Sequence, residues 1–243
     1  MIIIFFFSPR SVIKLSALEH IHSHGIVRRD IKSQNVLAHV GTNFSHVYII
    51  DFGLARCRLS GIPRQIDLVK ARINVVGTLS WASLNGLGAF VIWMTGIDES
   101  DLFSDLNPRD DLESLAFILL YLLRGNLPRH KLCRAGTAVA RMLQIRSKFF
   151  SWNGARLGEG DPSAFGELLD YARHLGFDEP ADYEPFYTDF EKLRQSTVEI
   201  KRNVSPGEIF MSLDPENVLI VNSTDLKPVI TKGWRWRSCS RSN

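Results

Sequence analysis

The chain is poor in cysteine, in net charge and in long apolar runs. Its three cysteines, Cys57, Cys133 and Cys239, are scattered and form no Cys-x-x-Cys pair. Because this spacing offers no disulfide framework, we expect a reducing compartment, the cytoplasm or the nucleus. A formal net charge of +3 is mild, so it permits acidic or phosphorylated substrates without calling for nucleic acid. We therefore expect no nucleic-acid partner.

No apolar run is long enough to cross a bilayer, so we expect no transmembrane segment. Met1–Phe7 covers only about a third of a membrane span. It also lacks the basic start of a signal peptide, and Pro9 interrupts it. We interpret residues 1–10 as an apolar N-terminal stub, with a weak signal segment as the alternative.

Two segments have helical patterns. Val12–Ser23 carries apolar residues every third position, which predicts one buried helix face. Leu115–Leu123 is apolar on every side and predicts a buried helix. For this second helix we expect Asp110 or Asp111 to cap the start and Gly125 to cap the end. At 243 residues and 45% hydrophobic, the chain is expected to form one domain.

The most informative feature is a pair of motifs. Asp30-Ile31-Lys32-Ser33-Gln34-Asn35 is followed by Asp51-Phe52-Gly53. Between them, 35–40 and 47–50 are predicted strands, joined by the turn residues Gly41-Thr42-Asn43. Such a hairpin would bring Asn35 and Asp51 together.

These motifs resemble the catalytic loop and the metal-binding loop of protein kinases. Phosphoryl transfer needs a carboxylate to orient the substrate hydroxyl and accept its proton, the role expected of Asp30. Lys32 is expected on the transferred phosphate and favours Ser/Thr-directed transfer. Asn35 and Asp51 supply hard oxygen ligands for Mg²⁺. The resemblance also implies ATP as cofactor, bound by Lys32, Asn35, Asp51 and Gly53.

Further segments resemble the casein kinase I family. They are Gly77-Thr78-Leu79-Ser80-Trp81-Ala82-Ser83-Leu84-Asn85, Asp110-Asp111-Leu112-Glu113-Ser114-Leu115, Arg124-Gly125-Asn126-Leu127-Pro128 and a late stretch at 168–183. The resemblance implies a mainly α kinase-like fold with a small β-hairpin, the large (C-terminal) lobe alone. It also implies that Asp111 braces the backbone of the catalytic loop. Residues 11–200 would form this lobe, with an insertion at 86–107 and a divergent basic tail at 201–243.

The resemblance implies a Ser/Thr protein kinase acting on proteins, with acidic sequences as candidate substrates. Asp30 lies close to the start of the sequence, and neither a Gly-rich loop nor a Lys–Glu pair for the phosphates precedes it, so the nucleotide-holding lobe is expected to be missing. The alternative is an inactive kinase remnant that binds a partner protein at the exposed cleft. A third possibility is a mis-assembled coding sequence.

Several residues depart from the kinase pattern or allow another interpretation. Arg28 stands where kinases normally have His, so its side chain must reach solvent or an acidic partner. Ser80 replaces an Arg that binds phosphate in the casein kinase I family. His20, His22 and His24 are expected at the surface rather than in a metal site, since only His20 and His24 share a helix face.

Overall fold

The computed structural model describes residues 10–38, 47–58, 77–87, 106–133, 136–149 and 151–202. The helices are α1 (Arg10–Ser23), α2 (Pro108–Arg124), α3 (Pro128–Leu132), α4 (Ala138–Phe149), α5 (Gly154–Leu157), α6 (Ser163–His174) and α7 (Glu184–Arg202). The strands are β1 (Ile26–Val27), β2 (Val36–Ala38), β3 (Val47–Ile49) and β4 (Arg56–Cys57). The prediction of a mainly α chain with a small β-hairpin is confirmed. Most of the N-terminal stub, of the predicted insertion and of the basic tail lies outside the described residues.

The predicted hairpin is present. Strands β2 and β3 pair antiparallel, with Val36 opposite Ile49 and Leu37 opposite Tyr48. The backbone N–H of Ile50 donates to the carbonyl of Asn35 at 2.9 Å, which extends the pairing by one residue on each strand. A second antiparallel pair, β1 with β4, was not predicted because each strand has only two residues.

Helix α2 is the centre of the hydrophobic core. Of the predicted buried run Leu115–Leu123, the residues from Leu115 to Leu120 are at most 2% exposed, whereas Tyr121, Leu122 and Leu123 are only partly buried. Helix α6 packs along it and adds Leu168 and Leu169, both fully buried. Helix α2 is capped at its end by Gly125, as predicted, and the left-handed φ of 75° at this position suits glycine.

The predicted N-cap of α2 is wrong. Asn107, and neither Asp110 nor Asp111, has the extended backbone of the cap, and its side chain accepts from the N–H of Arg109 at 3.0 Å. Asp110 lies at the third helical position and accepts from the backbone N–H of Asn107 at 2.9 Å. Because the two side chains satisfy each other's backbone donors, they form a capping box. Pro108 opens the helix, where a missing N–H costs nothing.

Helix α1 confirms the predicted buried face, since Leu15 and Leu18 are 0% exposed. His22 lies one turn beyond Leu18 on that face, so it is buried rather than at the surface, and the expectation for it is wrong. Its Nδ1 hydrogen-bonds the hydroxyl of Tyr183 at the start of α7, and its Nε2 lies 3.0 Å from Oδ2 of Asp111. His20 and His24 are exposed, as expected.

Cysteine pairing also differs from the expectation. Cys133 is a free thiol, whereas Cys57 takes part in a disulfide. Pairing depends on which side chains meet in space, which scattered sequence positions do not reveal. Among the described helices, none combines the length and apolar character needed to span a membrane.

Candidate functional site

The site begins with the loop that follows β1. The carboxylate of Asp111, at the start of α2, accepts from the backbone N–H of Arg28 at 2.6 Å and from that of Arg29 at 2.8 Å. Arg29 has a left-handed φ of 67°, a conformation that costs a non-glycine residue about 1–3 kcal/mol. The two hydrogen bonds to Asp111 offset this cost and hold the loop. The geometry agrees with the bracing role expected of Asp111.

Asp30 is the centre of a buried polar cluster. It is 7% exposed, and its Oδ1 accepts from the hydroxyl of Thr78 at 2.8 Å. Its Oδ2 lies 2.9 Å from Nζ of Lys32. Asn35 closes the loop, because its Nδ2 donates to the backbone carbonyl of Asp30 at 3.2 Å. The predicted residues Asp30, Lys32 and Asn35 therefore lie in direct contact.

Thr78 was missed as a site residue by sequence reasoning. Its hydroxyl also accepts from Nζ of Lys32 at 3.3 Å, so it joins the acid and the amine. The preceding Gly77 has φ of 90°, and a Cβ there would lie 2.7 Å from the carbonyl oxygen of Arg29. Only glycine permits this close approach. The Gly77-Thr78 pair is the signal that the sequence offers for this contact. Because the pair is far from Asp30 along the chain, the sequence does not reveal that Thr78 and Asp30 meet.

Arg28 was expected to reach either solvent or an acidic partner, and the structure shows an acidic partner. The side chain is fully buried, and its Nη1 lies 3.7 Å from Oδ2 of Asp30. Nη1 also donates to the carbonyl of Asp30, and Nη2 donates to the carbonyl of Ile50. Burial lowers the pKa of the guanidinium, an effect that the nearby carboxylate of Asp30 opposes. Arg28 thus ties the Asp30 loop to the end of β3.

Asp51 follows Ile50 directly and lies at the open side of this site. It is exposed and has a left-handed φ of 61°. Its Oδ1 accepts from the backbone N–H of Gly53 at 3.2 Å. Asp51 lies two residues beyond the end of β3, and Asn35 lies directly before its partner strand β2.

Asn35 and Asp51 carry oxygen atoms of the kind that a magnesium ion shared with a nucleotide would use. Asn35 uses Nδ2 for its contacts with Asp30, which leaves its Oδ1 available as a metal ligand. Mg²⁺ takes one or two protein ligands and completes its shell with phosphates and water. Within the described ranges no group of three His, Cys, Asp or Glu side chains is close enough to hold a metal.

The segment at 77–87 is attached to α2 by buried side chains. Ser83 Oγ donates to Oδ1 of Asp110 at 2.6 Å, and Asn85 Nδ2 donates to the same oxygen at 3.1 Å. Burial raises the pKa of Asp110 to about 6, although the hydrogen bond from Ser83 opposes the rise. The backbone N–H of Leu84 donates to Oε2 of Glu113 at 3.1 Å. The Ser-Leu-Asn and Asp-Asp-Leu-Glu runs noted in the sequence are therefore contact partners.

A narrow cleft lies between this segment and the Asp30 loop, with a volume of about 10 Å³. Residues from both sides line it, among them Arg29, Asp30, Gly77, Thr78, Trp81 and Ser83.

A comparison with protein-family models gives one match. Residues 11–89 match the model described as the protein kinase domain, which covers roughly a third of the 243-residue chain. The matched part holds the Asp30 loop, the hairpin, Asp51 and the segment at 77–87. It supports a relationship of this part of the chain to the protein kinase superfamily. Enzymes of that superfamily transfer phosphate from ATP to proteins with the help of Mg²⁺.

Proposed function

We propose that this protein is a Ser/Thr protein kinase of casein kinase I type, which transfers the γ-phosphate of ATP to Ser or Thr of protein substrates. The observation that carries the proposal is the cluster at Asp30. A buried carboxylate, an ammonium group and a hydroxyl meet within 2.8–3.3 Å beside the narrow cleft.

Each group has a role in the proposed reaction. Asp30 accepts the proton of the substrate hydroxyl and orients its oxygen for attack. Lys32, whose side chain is 23% exposed, has the freedom to turn from Asp30 to a phosphate oxygen and offset its charge. Thr78 fixes the other carboxylate oxygen, so that Asp30 presents one defined face to the substrate. Positioning of this kind supplies much of kinase catalysis.

Asn35 and Asp51 would hold Mg²⁺, which supplies positive charge at the β- and γ-phosphates when it is bound. Gly53 keeps Oδ1 of Asp51 in place through its backbone N–H. The casein kinase I assignment rests on the Ser83–Asn85 run and on its contacts with Asp110 and Glu113. We expect protein substrates, acidic ones included.

The test is phosphotransfer from ATP to dephosphorylated casein with Mg²⁺ and with EDTA. We expect incorporation that falls by at least about a thousandfold in Asp30→Asn, because the base is lost. Asp51→Asn should raise the Mg²⁺ concentration needed for half-maximal rate. Asp178→Asn, a change of an exposed residue, serves as the matched control. Incorporation equal in wild type and Asp30→Asn would refute catalysis by this chain.

A non-catalytic, partner-binding role is the second candidate, and exposed apolar side chains favour it. Tyr48, Ile50 and Leu54 are 46%, 36% and 43% exposed, and they lie close in sequence to Asp51. A protein that co-purifies with wild type and Asp30→Asn but is lost in an Ile50→Ser/Leu54→Ser variant would support this role. Co-purification that depends on Asp30 instead would favour an enzyme–substrate complex.

A further inference from the structure

Arg129, on the short helix α3, is a buried cation that contacts the segment at 77–87. Its side chain is 1% exposed. Its Nη2 donates to the carbonyl of Leu79 at 2.9 Å and to the carbonyl of Ala82 at 2.8 Å. These two carbonyls flank Trp81, which lines the cleft beside Asp30. One guanidinium nitrogen therefore fixes the backbone on both sides of a cleft residue.

The surroundings of Arg129 make this contact specific. Its Cζ lies 4.3 Å from the ring centre of Phe117 on α2, so the aromatic face supports the cation from below. Across the described residues no hydrogen bond uses its Nε or Nη1. Burial lowers the pKa of Arg129 to about 10, and the carboxylate of Glu113 opposes that shift. Burying a cation costs free energy. A role in overall stability alone therefore does not explain why Arg129 directs its hydrogen bonds to this one segment.

Arg129 contacts the middle of the segment at 77–87, between side-chain hydrogen bonds that attach its two ends. At one end Thr78 donates to Asp30, and at the other end Ser83 donates to Asp110. Without a central anchor, the backbone between these points could shift relative to Asp30.

We propose that Arg129 is a positioning residue that sets the peptide-binding wall of the cleft at Asp30. The proposal rests on the kinase function proposed above and extends it to the residues that flank the phosphorylated Ser or Thr. Since Arg129 contacts the segment and not the hairpin that carries Asp51, it governs binding of the peptide rather than of the nucleotide.

The first measurement is amide hydrogen–deuterium exchange, which needs no activity. The variants are Arg129→Met, which keeps the length and loses the donors, and Arg129→Lys, which keeps a charged donor. Arg124→Met is the matched control. Arg124, at the C-terminal end of α2, also donates to two backbone carbonyls, but these belong to Leu157 and Glu159 and not to the segment at 77–87. In Arg129→Met we expect exchange in 77–87 to rise at least about tenfold. Exchange of the Arg28 and Arg29 amides should not change.

The second measurement separates peptide binding from nucleotide binding. In phosphotransfer on a Ser-containing peptide, Arg129→Met should raise the peptide KM about tenfold or more and leave the ATP KM within about twofold. Arg129→Lys should recover part of the loss, because its ammonium can donate to one of the carbonyls. A wild-type protein without activity would refute the proposed function, whereas the exchange data would still test the position of Arg129.

Three outcomes would overturn the proposal. One is unchanged exchange in 77–87 in Arg129→Met. Another is an equal rise throughout the chain, which would make Arg129 a general core residue. The third is an equal rise in the KM of peptide and ATP. If Arg129→Met does not fold, Arg129→Lys is compared with Arg124→Lys by the same measurements.

Discussion

The guanidinium of Arg28 is fully buried, and its Nη1 lies 3.7 Å from Oδ2 of Asp30. The same carboxylate oxygen is 2.9 Å from Nζ of Lys32. Asp30 thus faces two cations in a buried site. The charge of the buried Arg28 therefore lies beside the carboxylate proposed as the base.

The first prediction concerns the buried hydrogen bonds of Arg28. Arg28→Met should lower the free energy of unfolding by about 2–4 kcal/mol, because the buried carbonyl of Asp30 and the partly buried carbonyl of Ile50 lose their donor. Urea denaturation monitored by circular dichroism measures the change. Arg156→Met, which alters an exposed side chain, should stay within about 0.5 kcal/mol of wild type. Equal stability of the two variants would show that Arg28 is not held as described.

The second prediction concerns the brace at Asp111. Asp111→Asn should lower the free energy of unfolding by about 2–4 kcal/mol, since a neutral amide cannot accept from the N–H groups of Arg28 and Arg29 and from His22 as well. Hydrogen exchange at the amides of Arg28 and Arg29 should become faster. The control is Asp189→Asn, which breaks a surface ion pair with Lys192 worth less than about 1 kcal/mol.

A change confined to overall stability, with those two amides still protected, would contradict the bracing role of Asp111. Faster exchange in Asp189→Asn at the same amides would show that the effect is not specific.

The third prediction is a pH dependence that originates at Asp110. Burial raises its pKa in the folded protein to about 6 from 3.8. A raised pKa means that the folded state binds the proton more tightly than the unfolded state. Protonation of Asp110 therefore contributes fully to the free energy of unfolding below pH 4. This contribution, on the order of 2–3 kcal/mol, is lost as the pH rises through about 6.

Urea denaturation at a series of pH values from 4 to 7.5 tests this. Asp110→Asn removes the titrating group, so its free energy of unfolding should decline less than that of wild type over this range. Asp189→Asn, at an exposed position, should follow wild type. Parallel profiles for wild type and Asp110→Asn would assign the pH dependence to other groups.

The fourth prediction concerns the hydroxyl of Thr78. Thr78→Val keeps the shape but removes the donor to Asp30, so phosphotransfer should fall about 10- to 100-fold. The isosteric change should also lower the free energy of unfolding by about 1 kcal/mol. Thr78→Ser keeps the hydroxyl and is the matched control. If the Val and Ser variants transfer phosphate at the same rate, Thr78 does not position Asp30.

Local patterns predicted part of the fold well. The apolar spacing in α1 and the all-apolar run in α2 identified both buried helices, because helix geometry repeats over a few residues. The N-cap of α2 was misplaced because three polar residues, Asn107, Asp110 and Asp111, lie near its start and only the backbone conformation separates them. His22 was misjudged because its burial depends on Asp111 and Tyr183, which come from distant parts of the chain.

The sequence by itself determined the chemistry that is available. It defined the order of Asp30, Lys32, Asn35 and Asp51 and the hairpin that lies between the last two, since these features depend on neighbours along the chain. Only the tertiary structure decided which distant groups complete the site. The contacts of Asp30 with Thr78, of Asp111 with the loop and of Arg129 with the segment at 77–87 join residues far apart in sequence. Such contacts follow from how helices pack around α2, and packing depends on the shapes of all the buried side chains together.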